Sequence, residues 1–159
     1  MKREIARNAF HLNRRQTLLG LSGVVAVQLV PTSLFATPEE MQAAIRESFG
    51  DTPIQPGRVT MKMPALSENG NSVPLSIDVD SPMTAQDHVS SIQVFTEKNP
   101  LPNVAKYYLG PRSGKASIAT RIRLADTQII TTIAQMSDGS LWSGTAETIV
   151  TLAACIDLG

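Results

Sequence analysis

From Arg58 onward the apolar residues fall at every second position, and that period of two decides the fold class. Val59, Met61 and Met63 alternate with Thr60 and Lys62, while Val73, Leu75, Ile77 and Val79 alternate with polar or small partners. Side chains change face at each residue of a strand, so such runs bury one face and wet the other. Between them Glu68-Asn69-Gly70-Asn71 is a turn sequence, so the two runs are expected to pair as a hairpin. Further strands are predicted over 88–97, 104–109, 115–125, 127–137 and 141–153, punctuated by Gly110-Pro111-Arg112-Ser113-Gly114 and Ser137-Asp138-Gly139-Ser140. Seven short strands with no helical run between them predict an all-β fold, an immunoglobulin-like antiparallel sandwich rather than a parallel α/β sheet. One short N-terminal helix precedes them. Thr37 offers an N-cap, Pro38 a first helical position and Glu40 a capping box; Met41, Ile45 and Phe49 then form a stripe that Gly50 stops. That stripe is expected to pack on the body or on a partner.

The first 36 residues have another character. A basic stretch ends in Asn13-Arg14-Arg15-Gln16-Thr17-Leu18-Leu19, a weakly apolar run continues through Val30, and Leu34-Phe35-Ala36 offers cleavage after Ala36. This is the pattern of a twin-arginine-type signal peptide over 1–36. Gly20, Ser22, Gly23 and Gln28 interrupt the apolar run, which makes it a poor permanent anchor, the other reading of the segment. The mature chain is therefore expected in the periplasm and off the membrane, with a sandwich domain over 37–152 and a C-terminal tail over 153–159. Five of the 14 basic residues and one of the 14 acidic residues lie in 1–36, leaving nine against 13, a net charge of −4. A mildly acidic domain lacks the Lys/Arg excess that nucleic-acid binding requires, so nucleic acid is set aside.

Little in the mature chain points to catalysis, a metal or a cofactor. His88 becomes the only histidine once His11 leaves, too few for an ordinary zinc site, and no nucleophile motif accompanies it. Asp78, Asp80 and Asp87 could offer oxygen ligands, but their spacing fits no calcium loop, and carboxylates beside Ser81-Pro82 suit turn capping. Met61, Met63, Met83 and Met136 could be thioether ligands, yet without a neighbouring His or Cys they read as core filler. Arg121 and Arg123, two apart on one predicted strand, share a face. They would either contact an anion or acidic partner, or decorate an exposed sheet.

The remaining chemistry is in Cys155, the only cysteine, within Leu152-Ala153-Ala154-Cys155-Ile156-Asp157-Leu158-Gly159. One thiol cannot form an internal disulfide. A thiolate is a strong nucleophile and can be joined oxidatively to another sulfur, and near a chain end it can reach into other proteins' active sites. A covalent carrier is one reading; the other is a small buried hydrophobe closing the last strand, or a partner in an intermolecular disulfide.

Several stretches now resemble one family. Asn69-Gly70 followed by Val73-Pro74, the segment Phe95-Thr96-Glu97-Lys98-Asn99-Pro100-Leu101-Pro102, the segment from Thr120 to Gln128, Asp138-Gly139, and a cysteine near the end are similar to SoxY, the carrier subunit of the bacterial Sox sulfur-oxidation system. The resemblance implies an immunoglobulin-like sandwich that pairs with a SoxZ-like subunit as a heterodimer. It implies that Cys155 is the covalent attachment point for sulfur intermediates from thiosulfate, carried between Sox haem and hydrolase enzymes. The chain would then be no enzyme itself. The family's usual ending sets the cysteine between pairs of glycines. Here Ala153-Ala154 and Ile156-Asp157-Leu158 flank it, so the arm is expected to be stiffer and bulkier. Asp157 adds a like charge beside a thiolate.

Overall fold

The computed structural model describes residues 36–154. Residues 1–35, which hold all but the last residue of the segment expected to be a signal peptide, and residues 155–159, with Cys155, lie outside the described residues.

Helix α1 spans Pro38–Phe49 and forms where its caps predict. Glu40 N–H donates to Thr37 Oγ1 at 3.3 Å and Thr37 N–H to Glu40 Oε2 at 2.9 Å, while Gly50, at φ 65°, ends the helix. These bonds occupy donors that no preceding turn can serve. The stripe packs on the body: Met41 and Ile45 are buried against Phe95, Ile133 and Leu141, and Phe49 meets the Phe95 ring edge-on with centroids 6.3 Å apart.

Nine strands follow among the described residues: β1 (Ile54–Pro56), β2 (Val59–Lys62), β3 (Leu66–Ser67), β4 (Val73–Val79), β5 (Val89–Thr96), β6 (Asn103–Tyr108), β7 (Ser117–Ile122), β8 (Gln128–Met136) and β9 (Leu141–Val150). The larger sheet has the order β1-β9-β8-β5-β6, with β3 also on β9; the smaller has the order β2-β4-β7. Among the described residues the protein is thus mostly β-sheet, in two sheets, with one short α-helix.

Two details depart from the expectation of seven antiparallel strands. β1 and β3 are additional, and both pair parallel to β9, Ile54 opposite Leu141 and Leu66 opposite Ile149. Each is two or three residues long, too short to display a period, and each is held by a partner strand some 85 residues later in the chain. Pro56 is tolerated because β1 is an edge strand. The expected pairing of the first two runs is present, Val59 opposite Val79 through Lys62 opposite Ser76. Its connection is not a tight turn, because β3 leaves to join β9 before the chain returns.

The main core lies between the sheets. Val73, Leu75 and Ile77 of β4 pack with Val89, Ile92 and Val94 of β5 and Ile130 and Ala134 of β8, all nearly or fully buried. Burying side chains of this size contributes roughly 1.5–3 kcal/mol each. Gly144 of β9 lets the sheets touch, since a Cβ there would stand 2.4 Å from Val59 O. Strand β5 is buried on both faces because α1 covers its outer side at Phe95.

Candidate functional site: the root of the C-terminal tail

Past Val150 the chain is stitched to the body residue by residue. Thr151 N–H donates to Ser67 O at 3.1 Å, Gly70 N–H to Leu152 O at 2.8 Å, and Ala154 N–H to Leu124 O at 3.1 Å. Leu124 N–H closes the set by donating to Gly70 O at 2.9 Å. Gly70 sits where these strands of chain converge. A Cβ on it would lie 2.4 Å from Leu124 O and 2.8 Å from Ala154 N, so only hydrogen fits. The residue that sequence reasoning assigned to a hairpin turn is used for close backbone approach.

Behind Leu124 stands a buried amide network. Asn99 Nδ2 donates to Arg123 O at 2.8 Å, and Asn99 Oδ1 accepts from Ala125 N–H and Gln128 Nε2, both at 3.0 Å. Gln128 Oε1 in turn accepts from Lys98 N–H at 2.8 Å. Asn99 and Gln128 are buried at 6% and 3% exposure, so these bonds replace water rather than supplement it. Val150 N–H donates to Thr127 Oγ1 at 2.9 Å, tying the end of β9 to the same loop. Outside it, Lys98 Nζ meets Asp126 Oδ2 at 3.0 Å; that bond, with one from Thr127 N–H, holds the Asp126 carboxyl below the usual aspartate range. The last described residue, Ala154, therefore leaves from a fixed point.

Other predicted positions fall elsewhere. Cys155 lies outside the described residues, one position beyond Ala154. Arg121 is exposed on β7, its Nη1 donating to Ser72 O at 3.2 Å and Ser72 Oγ at 3.3 Å. Arg123 is also exposed but does not share the strand: β7 ends at Ile122, because the chain there turns in to serve Asn99. His88 precedes β5 with Nδ1 3.1 Å from Thr84 O. Asp78 accepts from Ser117 Oγ at 2.6 Å and faces Lys62 at 3.7 Å, and Asp87 lies 3.8 Å from Arg58. Met83 and Met136 belong to the main core, and Met61 and Met63 are partly buried against that core. Sequence reasoning missed Asn99 and Gln128 as organisers. The available signal was an amide at the inward-facing start of an apolar strand, a residue type that must find partners when buried.

Three of the family-like segments meet at this root: Asn69-Gly70, the loop carrying Asn99, and the stretch carrying Leu124 and Gln128. The model of the sulfur oxidation protein SoxY family matches residues 45–155. The chain belongs to the SoxY family. The match runs to Cys155 itself. Among solved structures, the sulfur carrier protein SoxY from Chlorobium limicola f thiosulfatophilum is 30% identical at a TM-score of 0.61, covering 72% of this chain and 98% of its own. A superoxide reductase (neelaredoxin) from Ignicoccus hospitalis is 13% identical at a TM-score of 0.53, covering 74% of this chain and 95% of its own, a likeness of fold alone. No curated protein matches the chain by sequence. In this SoxY-family chain Gly70, Leu124 and the Asn99 network hold Ala154, the residue that precedes Cys155 in the sequence.

Proposed function

We propose that this chain is a periplasmic sulfur carrier of a thiosulfate-oxidising system, with an immunoglobulin-like sandwich as its body and Cys155 as the covalent attachment site. The observation that carries this reading is the family match ending on Cys155, joined to the clamp that ties Ala154 to Leu124. The clamp fixes Ala154, the residue directly before Cys155 in the sequence, and a carrier needs that cysteine within reach of other proteins. Loading joins the Cys155 thiolate to the outer sulfur of thiosulfate, forming a sulfur–sulfur bond and releasing two electrons, which a haem-containing partner accepts. Hydrolysis by a second partner then releases sulfate and leaves the remaining sulfur on the cysteine. The carrier supplies the sulfur nucleophile and its position; the partners supply the catalysis.

In this reading export over the twin-arginine route places the chain in the periplasm, and a SoxZ-like subunit pairs with it. The edge strand β7, carrying Arg121 with Arg123 just past its end, is the surface we assign to that subunit, since edge backbone groups are open to pairing. Intact-mass measurement of protein from thiosulfate-exposed cells tests the assignment. Sulfur-containing adducts are expected on the wild type and absent from Cys155→Ser; an unmodified wild type would overturn it. Rapid thiol labelling of the folded protein is expected as well, and protection until unfolding would favour a closing residue of the last strand.

A further inference from the structure

Helix α1 covers only part of the larger sheet's outer face. It rests on Ile133 and Leu141; Ile129 lies four residues along β8, about 13 Å further, and is 41% exposed. Its neighbour Ile130 is fully buried, as is Thr148 on β9, so Ile129 and Ile149 both face outward. Ile149 is 49% exposed and stands opposite Leu66 of β3, itself 52% exposed. An apolar stripe thus crosses three strands on one face. Glu147 pairs directly with Ile129, and Glu97 reaches it from the other side, its Oε2 accepting from Ile129 N–H at 3.4 Å. The outward residues of these rows, Leu66, Ile149, Ile129, Glu147 and Glu97, include two carboxylates and no base. The stripe adjoins the root: Ser67, next to Leu66, accepts from Thr151, and Thr127 accepts from Val150.

We propose that Leu66, Ile149 and Ile129, flanked by Glu147 and Glu97, form the docking surface for the protein that loads the tail, one presenting an apolar ridge bordered by lysines or arginines. The inference rests on the carrier reading above, because a tail without catalytic groups must be loaded by another macromolecule. The charge of the stripe selects a basic partner and speeds its encounter. Its size selects a visiting one. Three side chains are far less than the roughly 1,200–2,000 Å² that a lasting complex buries, but they suit a transient contact. Docking here sets the partner's entrance beside Ala154 without engaging β7.

The probe is the host's purified haem-containing thiosulfate-oxidising enzyme, titrated against the Cys155→Ser chain so that no covalent product forms. Ile149→Lys is expected to weaken binding about tenfold or more. Glu147→Lys is expected to slow association and flatten its dependence on salt. Leu66→Ser repeats the test should Ile149→Lys prove unfolded by circular dichroism. An unchanged Kd in folded variants overturns the proposal, as does loss of the SoxZ-like subunit instead of the enzyme. The two readings fail separately: adducts on the Cys155-bearing chain with unchanged Kd remove only the docking surface, whereas no adduct on the wild type removes the carrier role.

Discussion

Replacing Gly70 by alanine tests the clamp with a single methyl group. At an unstrained, uncrowded position Gly→Ala commonly stabilises by about 0.4–1 kcal/mol, because the unfolded chain loses freedom. At Gly70 the new Cβ would meet Leu124 O at 2.4 Å, Ala154 N at 2.8 Å and Val150 Cγ1 at 3.0 Å. The first two are backbone atoms and cannot rotate away. If the loops part to admit the methyl group, the cost is that of overpacking, about 1–3 kcal/mol. If the chain after Val150 peels off instead, the bonds Gly70–Leu152 and Ala154–Leu124 are lost at about 0.5–1.5 kcal/mol each. Either route predicts about 2 kcal/mol of destabilisation, opposite in sign to the usual substitution. Urea unfolding followed by fluorescence of Trp142, the only tryptophan, measures it. Gly110→Ala is the control, since nothing lies within 4 Å of a Cβ there and its φ of −159° is ordinary extended backbone. Amide exchange at Ala154 separates the routes, rising strongly only if the tail peels away. Equal midpoints for Gly70→Ala and wild type would refute the clamp.

Three further outcomes follow from named contacts. Asn99→Ala leaves Arg123 O, Ala125 N–H and Gln128 Nε2 without their partner and is expected to cost about 2–4 kcal/mol, read as a lower urea midpoint; a change below about 0.5 kcal/mol would mean that water replaces the amide freely. Thr132 Oγ1 is buried on β8 with no hydrogen-bond partner, so Thr132→Val should stabilise by up to about 1 kcal/mol in the same assay, and a fall in stability would argue for a bound water. The Asp126 carboxyl titrates below its unfolded value of about 3.9, so its bond to Lys98 contributes fully above that pH and is lost as pH falls through the lower folded value. The side chain is 56% exposed, so Asp126→Asn should cost less than about 1 kcal/mol at pH 7, and the gap to wild type should narrow as acid protonates the carboxylate; a gap that does not change with pH would assign the effect to something other than ionisation.

Much of the architecture was legible because burial leaves a local trace. Met41, Ile45 and Phe49 gave the helix and its packed face, and the alternation at Val73, Leu75, Ile77 and Val79 gave β4 with its inward side. The candidate site was legible in part: the cysteine and its family-like company could be read, whereas the root that delivers it could not. Gly70 looks the same in sequence whether it serves a turn or a close backbone contact. Asn99 looks like a loop residue until Arg123, Ala125 and Gln128 are brought around it.

Spacing along neighbouring residues was enough for the all-β class, the capped helix and seven of the strands, and the resemblance of several segments was enough for the family. Long-range contacts were needed to show that β1 and β3 run parallel to β9, that β7 stops at Ile122, and that the loops of Gly70, Asn99 and Leu124 meet at Ala154. Those outcomes depend on hydrogen bonds between residues some 25 to 90 positions apart, and no local period records such a partner. Which backbone groups meet is fixed when the two sheets close on their shared core, and the place from which the tail departs is fixed with them.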